Sequence, residues 1–289
     1  MDTLTFLLPA LVTSLILTGN LTYLGVHVVE RGVIFVDLAL AQIAALGTTM
    51  AVLYGLDPHG SASYWISLAF TFLGAALFSV VKSHKARIPQ EAIIGITYAV
   101  ASAAAILAMS KSVSETEHLK EMLVGNILTV SWQEVGYTAL ICGAVALFHY
   151  VFRRKFLLIS LRPQVAEQEG VSVRLWDFLF YASFGVVVTS AVAIAGVLLV
   201  FCFLIVPSVG AMLYAERIGP RLAIGWAMGT LVSGLGVYLS LQIDLPTGAA
   251  IVCTFGVALI LMAVCRPLVR RALDRTTAPA LVSSSAPRS

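Results

Sequence analysis

Asp37 has the least comfortable position in this chain. It stands in RGVIFVDLALAQIAALG, residues 31–47, within an otherwise apolar run that continues to Tyr54. An ionised carboxylate at the centre of a membrane helix costs about 2.5 to 3.5 kcal/mol on insertion scales, so such an acid normally faces a protein-lined cavity and marks an ion or substrate path. Two placements are open. Asp37 either lines such a path, or lies near the cytoplasmic mouth of its helix, where it caps a turn or pairs with Arg31.

A second group of chemically able residues lies in SVSETEHLKEMLVGNILTVSWQEV. Ser114 and Glu117 fit a capping box, and Leu119, Met122 and Leu123 form an apolar edge at helical spacing. The segment reads as a short amphipathic helix at the membrane surface. His118 has Glu115 and Glu121 three residues to either side, on one helix face. These groups either hold a divalent cation or face water, and Glu117 and His118 are the candidate external gate.

Other chemistry is missing. No lysine precedes Ser or Thr with the glycine placement of a phosphate-cradling loop, so the chain has no such means of binding ATP. Neither HExxH nor GxSxG occurs, and no catalytic residue is assigned. The chain is read as a transport component, not an enzyme. Cys142, Cys202, Cys253 and Cys265 lack paired spacing and read as small buried hydrophobes.

The elements that must position these residues are membrane spans. Of 289 residues 59% are hydrophobic and 11% charged, and mean hydropathy is +0.95; soluble chains carry about 25% charged residues. Apolar segments of spanning length fall at 3–26, 33–54, 63–81, 91–109, 133–152, 177–196, 198–215, 222–241 and 247–265. The fold class is therefore an all-α polytopic membrane protein of eight to nine transmembrane helices. The start MDTLTFLL has an acid and no basic residue, which argues against a cleaved signal peptide.

Orientation follows from the basic residues, which favour cytoplasmic loops. With nine spans and the amino terminus outside, every Lys and Arg except Lys111 and Lys120 falls inside, and the carboxyl terminus is cytoplasmic. Crossing only once between 177 and 215 would export Arg217, Arg221 and the basic tail. A hairpin broken at Gly196 is expected instead. Pro207 in FLIVPSVGA removes a backbone donor and kinks or interrupts its helix. The hairpin is either a pathway wall, since broken helices at membrane depth need a cavity or protein cover, or a packing kink.

The longest inside connection, residues 153–177, contains SLRPQVAEQEG. It reads either as a basic loop turning at Arg162 and Pro163, or as a short helix with Ala166 and Gly170 on one face, open to close approach by a partner. Residues 1–266 read as one transmembrane domain, and 267–289 as a basic, then disordered tail.

Several of these stretches together resemble the membrane permease subunits of zinc, manganese and iron ABC importers. They are LGVHVVERGVIFVDLALAQIAALG, EHLKEMLVGNILTVSWQEV, the Ala166 and Gly170 spacing, GVLLVFCFLIVPSVGAMLYAE and DLPTG. The likeness spans about residues 5–265. It implies a homodimeric permease in the bacterial inner (plasma) membrane, with cytoplasmic ABC ATPase subunits docked on the 153–177 loop around Arg162, Ala166 and Gly170. It also implies an extracytoplasmic protein that delivers the metal. The divalent ion would be cargo, no cofactor is expected to bind tightly, and no nucleic-acid partner is expected. The rivals are a permease for a metal chelate or cobalamin-like ligand, and a stand-alone secondary transporter or channel.

One departure bears on the metal path. The family's second span commonly reads Gly-Asp-x-Leu-x-His, with Asp and His four apart. Here the histidine position falls on Gln42 and the aspartate position on Leu38, so Asp37 and Gln42 are five apart. They then point about 140° from each other at the helical 100° per residue. Either a π-bulge realigns them, or Asp37 acts alone, or other residues contribute. An amide in place of imidazole shifts preference from zinc toward manganese or ferrous iron.

Overall fold

The computed structural model describes residues 3–58, 60–81, 88–110 and 127–277. Its regular elements among those residues are all helical. In order they are α1 (Thr3–Arg31), α2 (Val36–Leu53), α3 (Ser61–Val81), α4 (Gln90–Met109), a 3-10 turn (Ile127–Thr129), α5 (Trp132–Val151), α6 (Arg153–Leu161), α7 (Pro163–Gln168), α8 (Val173–Ala195), α9 (Val197–Met212), α10 (Ile218–Ile243) and α11 (Thr247–Thr277).

Eight of these helices are long and apolar enough to cross a bilayer. The ninth apolar segment, α9, has 16 residues and would reach about 24 Å at 1.5 Å per residue, short of a typical 30 Å hydrocarbon core. The fold class of eight to nine helices therefore holds, with one of the nine short. It is set off by Gly196, whose φ of +77° lies in a region glycine enters without steric cost. Helix α1 runs to Arg31, past the expected end at 26, because no residue unsuited to helix intervenes before Gly32. At the other end α11 stays helical to Thr277, past the domain boundary expected at 266.

Two packing groups emerge. In one, α2 lies against α3 and α4, and α8 covers α2 and α3. In the other, α1 lies against α5, α9 and α10, and α11 completes the layer on α9 and α10. The α1–α9 crossing is tight because Gly25 has no side chain. A Cβ there would stand 2.0 Å from the Leu204 carbonyl oxygen, the kind of close backbone approach that small residues allow between membrane helices. Ser208 fastens the same crossing by donating to the carbonyls of Leu204 (2.8 Å) and Thr22 (3.1 Å).

The outward faces are apolar. Leu73, Leu107, Leu140, Leu231 and Ile260 are exposed on α3, α4, α5, α10 and α11, the arrangement of a bundle whose solvent is lipid. Cys142 and Cys202 are buried as expected, but Cys253 and Cys265 stand exposed, on the outer side of α11.

Candidate functional site

Helices α2 and α4 pack together and begin at the same end of the bundle, where each carries an acid in its first turn. Asp37 is 2% exposed. The backbone N–H groups of Asp37 and Leu38 face its carboxylate, an arrangement favoured at the positive end of the helix dipole. Its Oδ1 has no hydrogen-bond partner among the described residues. Glu91, half-buried on α4, accepts the Phe35 N–H through Oε1 at 3.0 Å, and its Oε2 is buried with no hydrogen-bond partner among the described residues. The two carboxylates interact electrostatically. Each acid thus helps hold the start of α2 and keeps one oxygen spare.

Arg31, the basic residue nearest to Asp37 in the chain, is engaged elsewhere. Its Nη1 pairs with Asp177 at the start of α8, and Nε donates to Ser160 Oγ at 2.9 Å. The Ser160 hydroxyl also contacts His27 Nδ1 at 2.8 Å, and the guanidinium lies over the Phe180 ring at 4.0 Å. The preceding residue, Glu30, pairs with Arg221 of α10. These two ion pairs stake the end of α1 on two sides.

Gln42 does not join Asp37. Helix α2 is regular from Val36 to Leu53, with no π-bulge, so a five-residue separation leaves the two side chains on different sides and about 7.5 Å apart along the axis. Glu91, which sequence reasoning passed over, is the group set beside Asp37. The sequence shows only an acid at the start of a span that runs in the same direction as the Asp37 helix; its place beside Asp37 comes from the packing of α2 on α4.

Ala166 and Gly170 do not share an open face. Ala166 is fully buried, and Gly170 lies beyond the last residue of α7 with φ +73°. The short helix ends in a Schellman motif, with Val171 N–H donating to the Ala166 carbonyl (3.0 Å) and Gly170 N–H to that of Glu167 (3.1 Å). The glycine is therefore needed for the helix end. The exposed side of this segment carries Arg162, Gln164, Glu167, Gln168 and Glu169.

Gly196 stands between α8 and α9, while Pro207 lies inside α9, where it gives no N–H to the Phe203 carbonyl. Glu117 and His118 lie outside the described residues, as does the tail beyond Thr277. Another missed signal is SWQE at the start of α5, a capping box in which Ser131 N–H donates to Glu134 Oε2 (2.8 Å) and Glu134 N–H to Ser131 Oγ (3.3 Å). Among the described residues, no three His, Cys, Asp or Glu side chains gather closely enough to hold a metal ion.

Similarity to named proteins extends along most of the chain. The manganese import system permease protein ScaB of Streptococcus parasanguinis is 27% identical over 252 residues, covering 87% of this chain and 88% of the relative. A protein of Haemophilus influenzae named "Probable iron transport system membrane protein" is 29% identical over 248 residues, covering 86% and 89%. The fold is like that of PsaBC from Streptococcus pneumoniae, solved in complex with Fab, with a TM-score of 0.74, 24% identity and coverage of 89% of this chain and 90% of that one. The model of the ABC 3 transport family matches residues 3–266, and the chain belongs to that family.

Proposed function

We propose that this chain is the permease subunit of an ABC-type importer of a divalent metal ion, with manganese or ferrous iron as cargo. One observation carries the reading: Asp37 and Glu91 lie near one another at the start of α2, each with a spare oxygen, and among the described residues no cationic side chain forms an ion pair with either. Oxygen donors suit hard divalent ions. Two carboxylates bind loosely enough to release what they hold, which a conducting site requires. The manganese and iron systems named for the relatives support the same choice of cargo.

In this reading the chain works as a homodimer in the plasma membrane, with the amino terminus outside. Arg31, Asp37, Glu91, Asp177 and Arg221 then lie toward the cytoplasm, and the 153–177 segment offers its exposed face to an ATPase subunit. An extracytoplasmic metal-binding protein delivers the ion to the opposite side.

The test is reconstitution in proteoliposomes with a candidate ATPase, measuring ATP hydrolysis and 54Mn(II) accumulation. Manganese-stimulated hydrolysis with ATP-dependent accumulation is expected. Failure of any ABC ATPase to associate would remove the ABC mechanism.

A further inference from the structure

We propose that Ser160 and Arg31, in the polar knot at the end of α1, are positioning residues that carry displacement of the docking segment to the Asp37 turn. This rests on the reading of the chain as an ATP-coupled permease.

The segment itself is firmly mounted. Helix α7 has only six residues and moves with α6, on which it packs. Helix α6 is anchored by Phe156, which is fully buried, stacked on His149 with ring centroids 4.2 Å apart and set edge-on to Trp176 at 5.4 Å. A push on α7 is therefore delivered to α6 as a whole.

From α6 the hydrogen-bonded tie to α1 passes through Ser160. Its hydroxyl oxygen accepts from Arg31 Nε (2.9 Å), and the same hydroxyl is hydrogen-bonded to His27 Nδ1 (2.8 Å). Ser160 is 6% exposed, His27 1% and the Arg31 side chain 1%. Water does not readily replace bonds at such depth, and breaking them strands buried polar groups. The joint thus resists slipping. Asp177 holds the same guanidinium to α8 and supplies the pivot.

Arg31 is also the last residue of α1, and only residues 32–35 separate that helix from α2. Gly32, at φ +67°, closes α1 with a Schellman motif: Val33 N–H donates to the Val28 carbonyl (3.2 Å) and Gly32 N–H to that of Val29 (3.1 Å). Helices α1 and α2 then enter different packing groups. This four-residue link is one of the places where the chain passes between the groups, with Gly196 between α8 and α9 another, and its far end is held by the Phe35 to Glu91 bond and leads directly to Asp37.

The experiment compares wild type, S160A, R31K and S160T, each assembled with the ATPase in proteoliposomes, by manganese moved per ATP hydrolysed. S160A removes the link from the α6 side. R31K removes it from the α1 side while keeping a positive charge beside Asp177. In both, the ATPase should still co-purify and hydrolyse ATP, and the ratio should fall about tenfold, within the range of measured couplings between sites. S160T keeps a hydroxyl and should restore the ratio. A wild-type ratio in S160A and R31K would overturn the proposal, and so would loss of ATPase binding in both, which would place the residues in docking itself. A wild-type complex that hydrolyses ATP and moves no manganese would instead bring down the permease reading, and this inference with it.

Discussion

At the residue scale, Asp37 and Glu91 each do two jobs that substitution can separate. Glu91→Gln keeps an amide oxygen to accept the Phe35 N–H and loses the negative charge. If the charge serves the cation, manganese uptake should drop about tenfold, the factor that 1.4 kcal/mol represents, while the melting temperature stays near wild type. Glu91→Ala also removes the acceptor at the start of α2 and should cost about 1 kcal/mol of stability, the usual loss for a cap. Equal uptake by Glu91→Gln and wild type would leave Glu91 as a cap alone. Asp37→Ala should abolish uptake with expression and dimer formation intact, and normal uptake would return Asp37 to a structural role. That Asp37 stood apart was legible because one charge interrupts a long apolar run. Its pairing with Glu91 was not, since it depends on how α2 and α4 pack.

At the scale of elements, hydropathy registers spans and glycine marks their ends, so the Gly196 break and most helix positions could be read directly. Whether a small residue points outward could not. Ala166 and Gly170 have the spacing of one helical face, yet α7 ends at Gln168 before that face exists, and Ala166 turns inward. Residues 32–35 form one of the joints between the first packing group and the second, as Gly196 forms another, which gives Gly32 an importance that its sequence context does not announce. Gly32→Ala forces an L-residue into the left-handed region at about 1 to 2 kcal/mol. Nothing lies within 4 Å of its added Cβ, so the expected loss is one of backbone strain, read as a lower melting temperature in detergent. An unchanged melting temperature would show that the turn relaxes freely. Gly25→Leu is different in kind, because the side chain has no room against the Leu204 carbonyl; it should prevent recovery of folded protein.

At the scale of the molecule, the two ends of the proposed transport cycle sit on opposite sides of one knot. The acids proposed to face the metal begin α2 and α4, and the proposed docking segment precedes α8, with Arg31 between them. Docking should therefore depend on what α7 exposes rather than on its small residues. Gln168→Trp places bulk on the exposed side, and recovery of ATPase in a pull-down should fall about tenfold, as expected when a well-placed contact is lost from an interface. Gly170→Ala changes the helix end without adding bulk to that side. It should leave ATPase recovery near wild type and lower stability by about 1 to 2 kcal/mol, again from the left-handed backbone. The reverse result, full recovery with Gln168→Trp and loss with Gly170→Ala, would mean that the partner grips the turn after α7. In that case the stroke would enter through residues 169–172 and reach Arg31 through α8 and Asp177, bypassing Ser160.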